Sequence, residues 1–151
     1  MALTKRRNNW YGEDHADLRK ELARYSTVNG YPIDNFTNVK CKCGCQLFEL
    51  YTDEEQGAAM RTCTQCHNEH LMGDSADYVS EAELVPHECN CRKDQFQIVV
   101  GVHRYRNADD SVSDDVRWLY IGCRCPKCNL LGCYADWKNE FEEYRKLLRR
   151  M

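Results

Sequence analysis

The sequence predicts an α+β chain in which two tandem antiparallel β units are flanked by an N-terminal and a C-terminal helix. Three observations carry that expectation. A pattern occurs twice: "CKCGCQLFEL" at 41–50 and "CNCRKDQFQI" at 89–98 both read C-x-C, four residues, Phe, one residue, then Leu or Ile, so Phe48 matches Phe96 and Leu50 matches Ile98. Each copy is followed by a C-x-x-C, "CTQC" at 63–66 and "CPKC" at 125–128. Apolar residues alternate between the cysteine pairs and recur at helical spacing near both ends of the chain.

The elements follow in order. Lys5, Arg6 and Arg7 open the chain and read as a solvated basic tail. Residues 13–26, "EDHADLRKELARYS", put Leu18, Leu22 and Tyr25 on one helical face, with acids early and Lys/Arg later, and "NGYP" at 29–32 stops the helix. In the first β unit, 46–51 and 58–62 are strands around "TDEEQG", and 68–72 returns as a third. The acidic segment 73–88 links the copies. In the second unit Phe96, Ile98, Val100 and Val102 alternate, Val116, Trp118 and Tyr120 alternate on the returning strand, and "NADDSVSDD" (107–115) is an exposed acidic loop between them. Residues 129–135 form a short strand. The closing "DWKNEFEEYRKLLRRM" aligns Trp137, Phe141, Tyr144 and Leu148 in a stripe that predicts a helix capped by Asp136. The expected division is 1–37 arm and helix, 38–85 first unit, 86–136 second unit and 137–151 C-terminal helix, folding as one compact body.

Composition explains why cysteine is needed. The chain has 151 residues, 30% of them charged, and a mean hydropathy of −0.75, so its apolar core should be modest and in want of a staple. Eleven cysteines are available. The opening "MALTKRRNNWYGEDH" has no apolar run like that of an export signal, and no stretch approaches a membrane span. These features predict a reducing, cytoplasmic setting without a membrane, where clustered cysteines mean metal or redox chemistry and an odd count argues against complete disulfide pairing.

Two cysteines one or two residues apart sit on a tight turn with both sulfurs facing one point. Two such turns joined by a hairpin supply a tetrahedral four-sulfur site, which suits zinc. The predicted ligand sets are Cys41, Cys43, Cys63 and Cys66, and Cys89, Cys91, Cys125 and Cys128. The cluster "CRCPKCNLLGC" at 123–133 is then half of one site. Each turn needs a left-handed residue after its second cysteine, for which Gly44 and Asn129 are well suited, His67 is acceptable and Arg92 is the poorest fit. Cys45, Cys123 and Cys133 are left over as small buried hydrophobes or as alternative ligands. His67 and His70 follow "CTQC" but are superfluous beside four cysteines, and His87 and His103 have no visible partner.

Over about residues 38–136 this pattern resembles the zinc ribbon superfamily, in which two cysteine knuckles on β-hairpins hold a structural zinc. The resemblance implies two tandem ribbons and two structural Zn2+ ions, and it specifies fold far better than role. Both first knuckles are C-x-C where C-x-x-C is commoner, so Cys45 stands as an alternative to Cys41 or Cys43.

Functional expectations follow from the sites and the charge. A catalytic zinc keeps an open position, and two complete four-cysteine sets leave none, so no enzyme is expected. Thiol redox chemistry or a rubredoxin-like iron site, hinted at by "CRCPKCN", are lesser readings. The formal net charge is −3, and two Zn2+ on eight thiolates would lower it to −7, which disfavours a phosphate-binding surface. Basic residues at 5–7 and 145–150 keep a zinc-ribbon nucleic-acid-binding protein as the alternative. The leading expectation is a non-catalytic zinc-binding protein acting as a protein-interaction module, of adaptor or inhibitor type. Its acidic segments at 74–88 and 107–115 suit a basic protein partner.

Overall fold

In the computed structural model, which describes residues 3–139 and 142–151, the chain opens with a hairpin of β1 (Thr4–Arg6) and β2 (Asn9–Tyr11). Helix α1 (His15–Asn29) follows where the acid-to-base gradient places it. The Asp14 carboxylate accepts the Asp17 N–H at 2.8 Å as an N-cap, and Gly30 ends the helix in the left-handed region with φ 91°. Then come β3 (Asn35–Asn38), β4 (Phe48–Asp53), β5 (Ala58–Cys63), β6 (Glu69–Leu71), two short 3-10 turns and β7 (Val85–Pro86). The second half contributes β8 (Gln97–Arg106), β9 (Val112–Arg124), β10 (Leu130–Lys138) and α2 (Tyr144–Arg149). Two fully antiparallel sheets result, one ordered β1-β2-β10-β9-β8-β3 and the other β6-β5-β4-β7.

The larger sheet is buried on both faces. On one, Leu18 and Leu22 of α1 meet Val99, Tyr120 and Leu131. Two glycines permit that approach: a Cβ at Gly122 would lie 2.6 Å from Leu22 Cδ1, and one at Gly101 2.6 Å from Ile33 Cδ1. The other core joins Ile98, Val100, Val102 and Ile121 to Phe48, Leu50 and Ala59 of the smaller sheet and to Leu147 of α2. Burying alternate residues on both sides explains why β8 reads as a near-continuous run of valines.

The repeat visible in the sequence is also a repeat of pairing, and the copies exchange strands. In the first copy β3 precedes Cys41, yet it pairs with β8 of the second copy, with Thr37 opposite Val100 and Asn38 opposite Val99. In the second copy β7 precedes Cys89 and pairs with β4 of the first, with Val85 opposite Thr52 and Pro86 opposite Tyr51. Under the sequence repeat these are the same pairs. So are the next contacts, Val39 N–H to Ile98 O at 2.9 Å and His87 N–H to Leu50 O at 3.0 Å. The repeat-equivalent Phe48 and Phe96 hydrogen-bond each other in both directions, at 2.9 and 2.7 Å, and both are fully buried. A local two-fold axis therefore runs through the Phe48–Phe96 bridge. Past it, β5–β6 pairs Thr62 with Glu69 and Arg61 with His70, and β9–β10 repeats that register as Arg124 with Leu131 and Cys123 with Gly132.

Several expectations are corrected. The basic opening is a strand, not a tail: β2 pairs with the edge of β10, and Arg6 and Lys5 lie over the Tyr11 and Trp10 rings at 4.1 and 5.6 Å. The helix expected from residue 137 is the end of β10, because β9 is long enough to keep pairing, Trp137 with Leu119 and Lys138 with Trp118. Asp136 is accordingly no cap; its carboxylate accepts from Trp118 Nε1 at 3.0 Å, and Glu143 caps the short α2. Phe141 lies outside the described residues. The acidic loop is shorter than 107–115, since β9 begins at Val112, and Asp114 pairs with Arg104 at 3.2 Å and Arg145 at 3.1 Å. The linker 73–88 contains β7 and the two 3-10 turns. No helix among the described residues is long and apolar enough to cross a membrane.

Candidate metal centres

Each centre is built from two backbone turns. In the first C-x-C turn, Cys41 N–H donates to Cys45 O and Gly44 N–H to Cys41 O, both at 2.9 Å. The second copy repeats this with Cys89 N–H to Lys93 O at 2.7 Å and Arg92 N–H to Cys89 O at 2.8 Å. The C-x-x-C turns match as closely: His67 N–H reaches Cys63 O at 3.0 Å, and Asn129 N–H reaches Cys125 O at 2.8 Å. All four positions singled out for a left-handed backbone have it, with φ 95° at Gly44, 63° at His67, 72° at Arg92 and 67° at Asn129. Arg92, the poorest fit by residue type, is held there by the same turn hydrogen bonds.

The turns bring the cysteines together as the sequence pairs them. Cys41, Cys43, Cys63 and Cys66 form one group and Cys89, Cys91, Cys125 and Cys128 the other, the four sulfurs of each lying within 4.8 Å of one another. The closest pairs are Cys41–Cys66 and Cys43–Cys63 at 3.5 Å, Cys89–Cys128 at 3.5 Å and Cys91–Cys125 at 3.6 Å. A tetrahedron of Zn–S bonds of about 2.3 Å would separate its sulfurs by about 3.8 Å, whereas a disulfide needs about 2.05 Å. All eleven cysteines are free thiols. Both groups could thus hold a metal ion. Cys41, Cys63, Cys89 and Cys125 are buried, while Cys43 and Cys66 are exposed and Cys91 and Cys128 half-buried.

Backbone N–H groups favour the thiolate at Cys41 and Cys63 in the first group and at Cys91 in the second. The Cys66 and Gln65 backbone N–H groups draw Cys63 down to about 6. The Lys93 N–H does the same for Cys91, to about 7. Burial, together with the neighbouring thiols, pushes Cys89 up to about 12. Ligation must displace protons from Cys43, Cys66, Cys89 and Cys128, whose thiols are held above the usual range, which makes metal affinity depend on pH.

The groups differ in what stands behind them. Arg61 on β5 is buried beside the first: its Nε donates to Met151 O at 2.6 Å and its guanidinium lies 4.8 Å from the Phe48 ring centroid. Burial pulls its pKa below the ordinary arginine value, and the sulfurs of Cys41, Cys63 and Cys66 pull it back. A permanent cation thus faces the first thiolate cluster. The repeat-equivalent position beside the second cluster is Cys123. That side chain is completely buried, and burial raises its thiol well above the usual range. The second cluster instead has Tyr134, thrust out by a bulge in β10 between Cys133 and Ala135 and packed against Phe96 and His87 at 5.0 and 5.3 Å between centroids. Arg61 was missed by sequence reasoning. The one signal was a charged residue at an inward position of an alternating strand.

The spare residues fall outside both groups. Cys45 Sγ accepts the Leu47 N–H at 3.4 Å, within its own turn. Cys133 is a strand residue whose thiol is pushed up chiefly by burial. His70 Nε2 lies 2.6 Å from Arg150 O, His87 Nε2 2.6 Å from Thr52 Oγ1, and His103 Nδ1 2.7 Å from Pro32 O, all structural contacts. Comparison with known protein families, curated proteins and solved structures finds no match for the chain. What the geometry gives by itself is two four-cysteine groups on repeated β-hairpins, each able to hold a metal ion.

Proposed function

We propose that the protein is a non-catalytic interaction module, stapled by two structural zinc ions in zinc-ribbon-like units, that acts on another protein as an adaptor or inhibitor. The observation that carries the reading is the completeness of both groups, four sulfurs each at near-tetrahedral spacing. A zinc held by four thiolates has no position left for water or substrate, and its effect is spent on folding. The nucleic-acid alternative draws less support, because the basic residues near the two ends lie at opposite edges of the larger sheet. Lys5 and Arg6 are on β1, while Arg149 neighbours β3.

Elemental analysis of protein purified without added metal should give two zinc ions per chain. One zinc, or stoichiometric iron, overturns the stapling. Titration of labelled DNA and RNA should show weak binding at physiological salt. Sub-micromolar binding at about 150 mM salt would replace the protein-partner reading with a nucleic-acid one.

A further inference from the structure

We propose that a groove beside the first four-cysteine group receives an extended acidic segment of the partner protein. This rests on the interaction-module reading and adds to it a place and a chemistry. The groove has a volume of about 480 Å3 and lies between β3, which ends the six-stranded sheet, and β6, which ends the four-stranded one. Both strands therefore turn an unpaired side outward, the feature through which extended peptides add to sheets.

The charge at its mouth sets the occupant. Lys40, Lys42 and Arg149 line the groove and are exposed, and among the described residues none of them has a carboxylate partner. Nearby, Arg145 is already paired with Asp114 and Glu143, and Arg150 with Glu142. Three free cations around one opening, on a chain of net charge −3, are a local reversal of sign. Among the described side chains a single carboxylate, Glu69, lines the groove. Val39, Leu148 and Met151 give the groove its apolar lining, beside the buried Arg61. A peptide strand alternating acidic and apolar side chains matches both, one set of side chains on the cations and the other on the apolar lining. A single-stranded nucleic acid matches less well: among the described residues no Phe, Tyr or Trp lines the groove to stack a base.

The test uses the full chain with its metal, and a labelled eight-residue peptide alternating Glu and Leu as probe. A Lys/Leu counterpart and labelled single-stranded DNA and RNA serve as comparison ligands. Fluorescence anisotropy at about 50 and about 200 mM salt should show the Glu peptide binding, weakened by salt, and the Lys peptide not binding. Lys40→Glu, Lys42→Glu and Arg149→Glu together should weaken the Glu peptide at least about tenfold. Lys5→Glu with Arg6→Glu, on the far edge of the sheet, should leave it unchanged. Zinc content of each variant, equal to that of the parent, shows that the variants fold.

Loss of peptide binding in the Lys5/Arg6 variant as well, or none in the groove variant, overturns the proposal. Oligonucleotide binding that disappears in the groove variant overturns it together with the protein-partner reading. A zinc-loaded protein that binds neither peptide nor nucleic acid overturns the groove alone.

Discussion

Replacing Cys43 and Cys66 by serine should weaken metal binding at the other group, none of whose ligands is touched. Both residues are exposed, so the substitutions remove two sulfurs without opening the core. The route runs through the exchanged strands. Without its metal the Cys41–Cys45 turn is released, and with it β3 and the entry to β4, which tie the first copy to β8 inside the second. Besides the β3–β8 ladder itself, four backbone hydrogen bonds hold those segments: Asp34 N–H to Val102 O at 2.7 Å, Val39 N–H to Ile98 O at 2.9 Å, and the Phe48–Phe96 pair at 2.9 and 2.7 Å. At about 1 kcal/mol net apiece these four alone give a coupling of about 4 kcal/mol when all are lost. That is up to about a thousandfold in affinity at the Cys89, Cys91, Cys125 and Cys128 group, and partial fraying should still leave about tenfold. Competition with a chromophoric zinc chelator measures it, with Cys91→Ser plus Cys128→Ser as the mirror experiment. An affinity at the untouched group within about threefold of the parent would refute the reasoning, since each copy would then hold its metal independently.

Other outcomes follow from single residues. Cys133→Ser and Cys45→Ser should each retain two metal ions, with Cys133→Ser costing about 1–2 kcal/mol of stability; loss of a metal ion by elemental analysis would make that cysteine a ligand. Arg61→Met should lower metal affinity at the first group by about 10–100-fold, the usual range for losing a residue that supports the ligands, and an unchanged chelator titration would deny its guanidinium that role. Gly122→Ala should destabilise the fold by about 1–3 kcal/mol in urea unfolding, because the new methyl group meets Leu22 at 2.6 Å. An unchanged midpoint would mean that α1 does not press on the sheet.

Much of the candidate site was legible because cysteine turns are local. Spacing fixes the turn, the turn needs a left-handed residue at Gly44, His67, Arg92 or Asn129, and the repeat says which turns belong together. Hairpins β4–β5 and β8–β9 were legible for the same reason, since their alternation and turn residues are contiguous. Pairings between segments distant in the chain left no such trace. β3 and β7 are short stretches without an alternating pattern of their own, and each becomes a strand by pairing with the other copy. Trp137 fits a helical stripe and a strand equally well, and the length of β9 decides between them. The N-terminal hairpin likewise depends on β10. Arg61 was invisible as a charge partner because its neighbours come from both cysteine turns of its own copy.

The reciprocal Phe48–Phe96 bridge has a consequence beyond the fold. Exchange of equivalent strands about a two-fold axis is how two identical subunits interlock, so the chain has the form of a homodimer written as one polypeptide. In a homodimer every substitution appears twice, and a charge placed behind one metal appears behind both. Joining the protomers removes that constraint. Arg61 and Cys123 occupy equivalent places, one giving its cluster a counter-cation and the other leaving its cluster without one. Exposure diverges in parallel, with the outer thiols open to solvent in the first site and half-covered in the second. The two centres are thus free to specialise, one open to solvent and backed by a buried arginine, the other more enclosed and without a counter-cation.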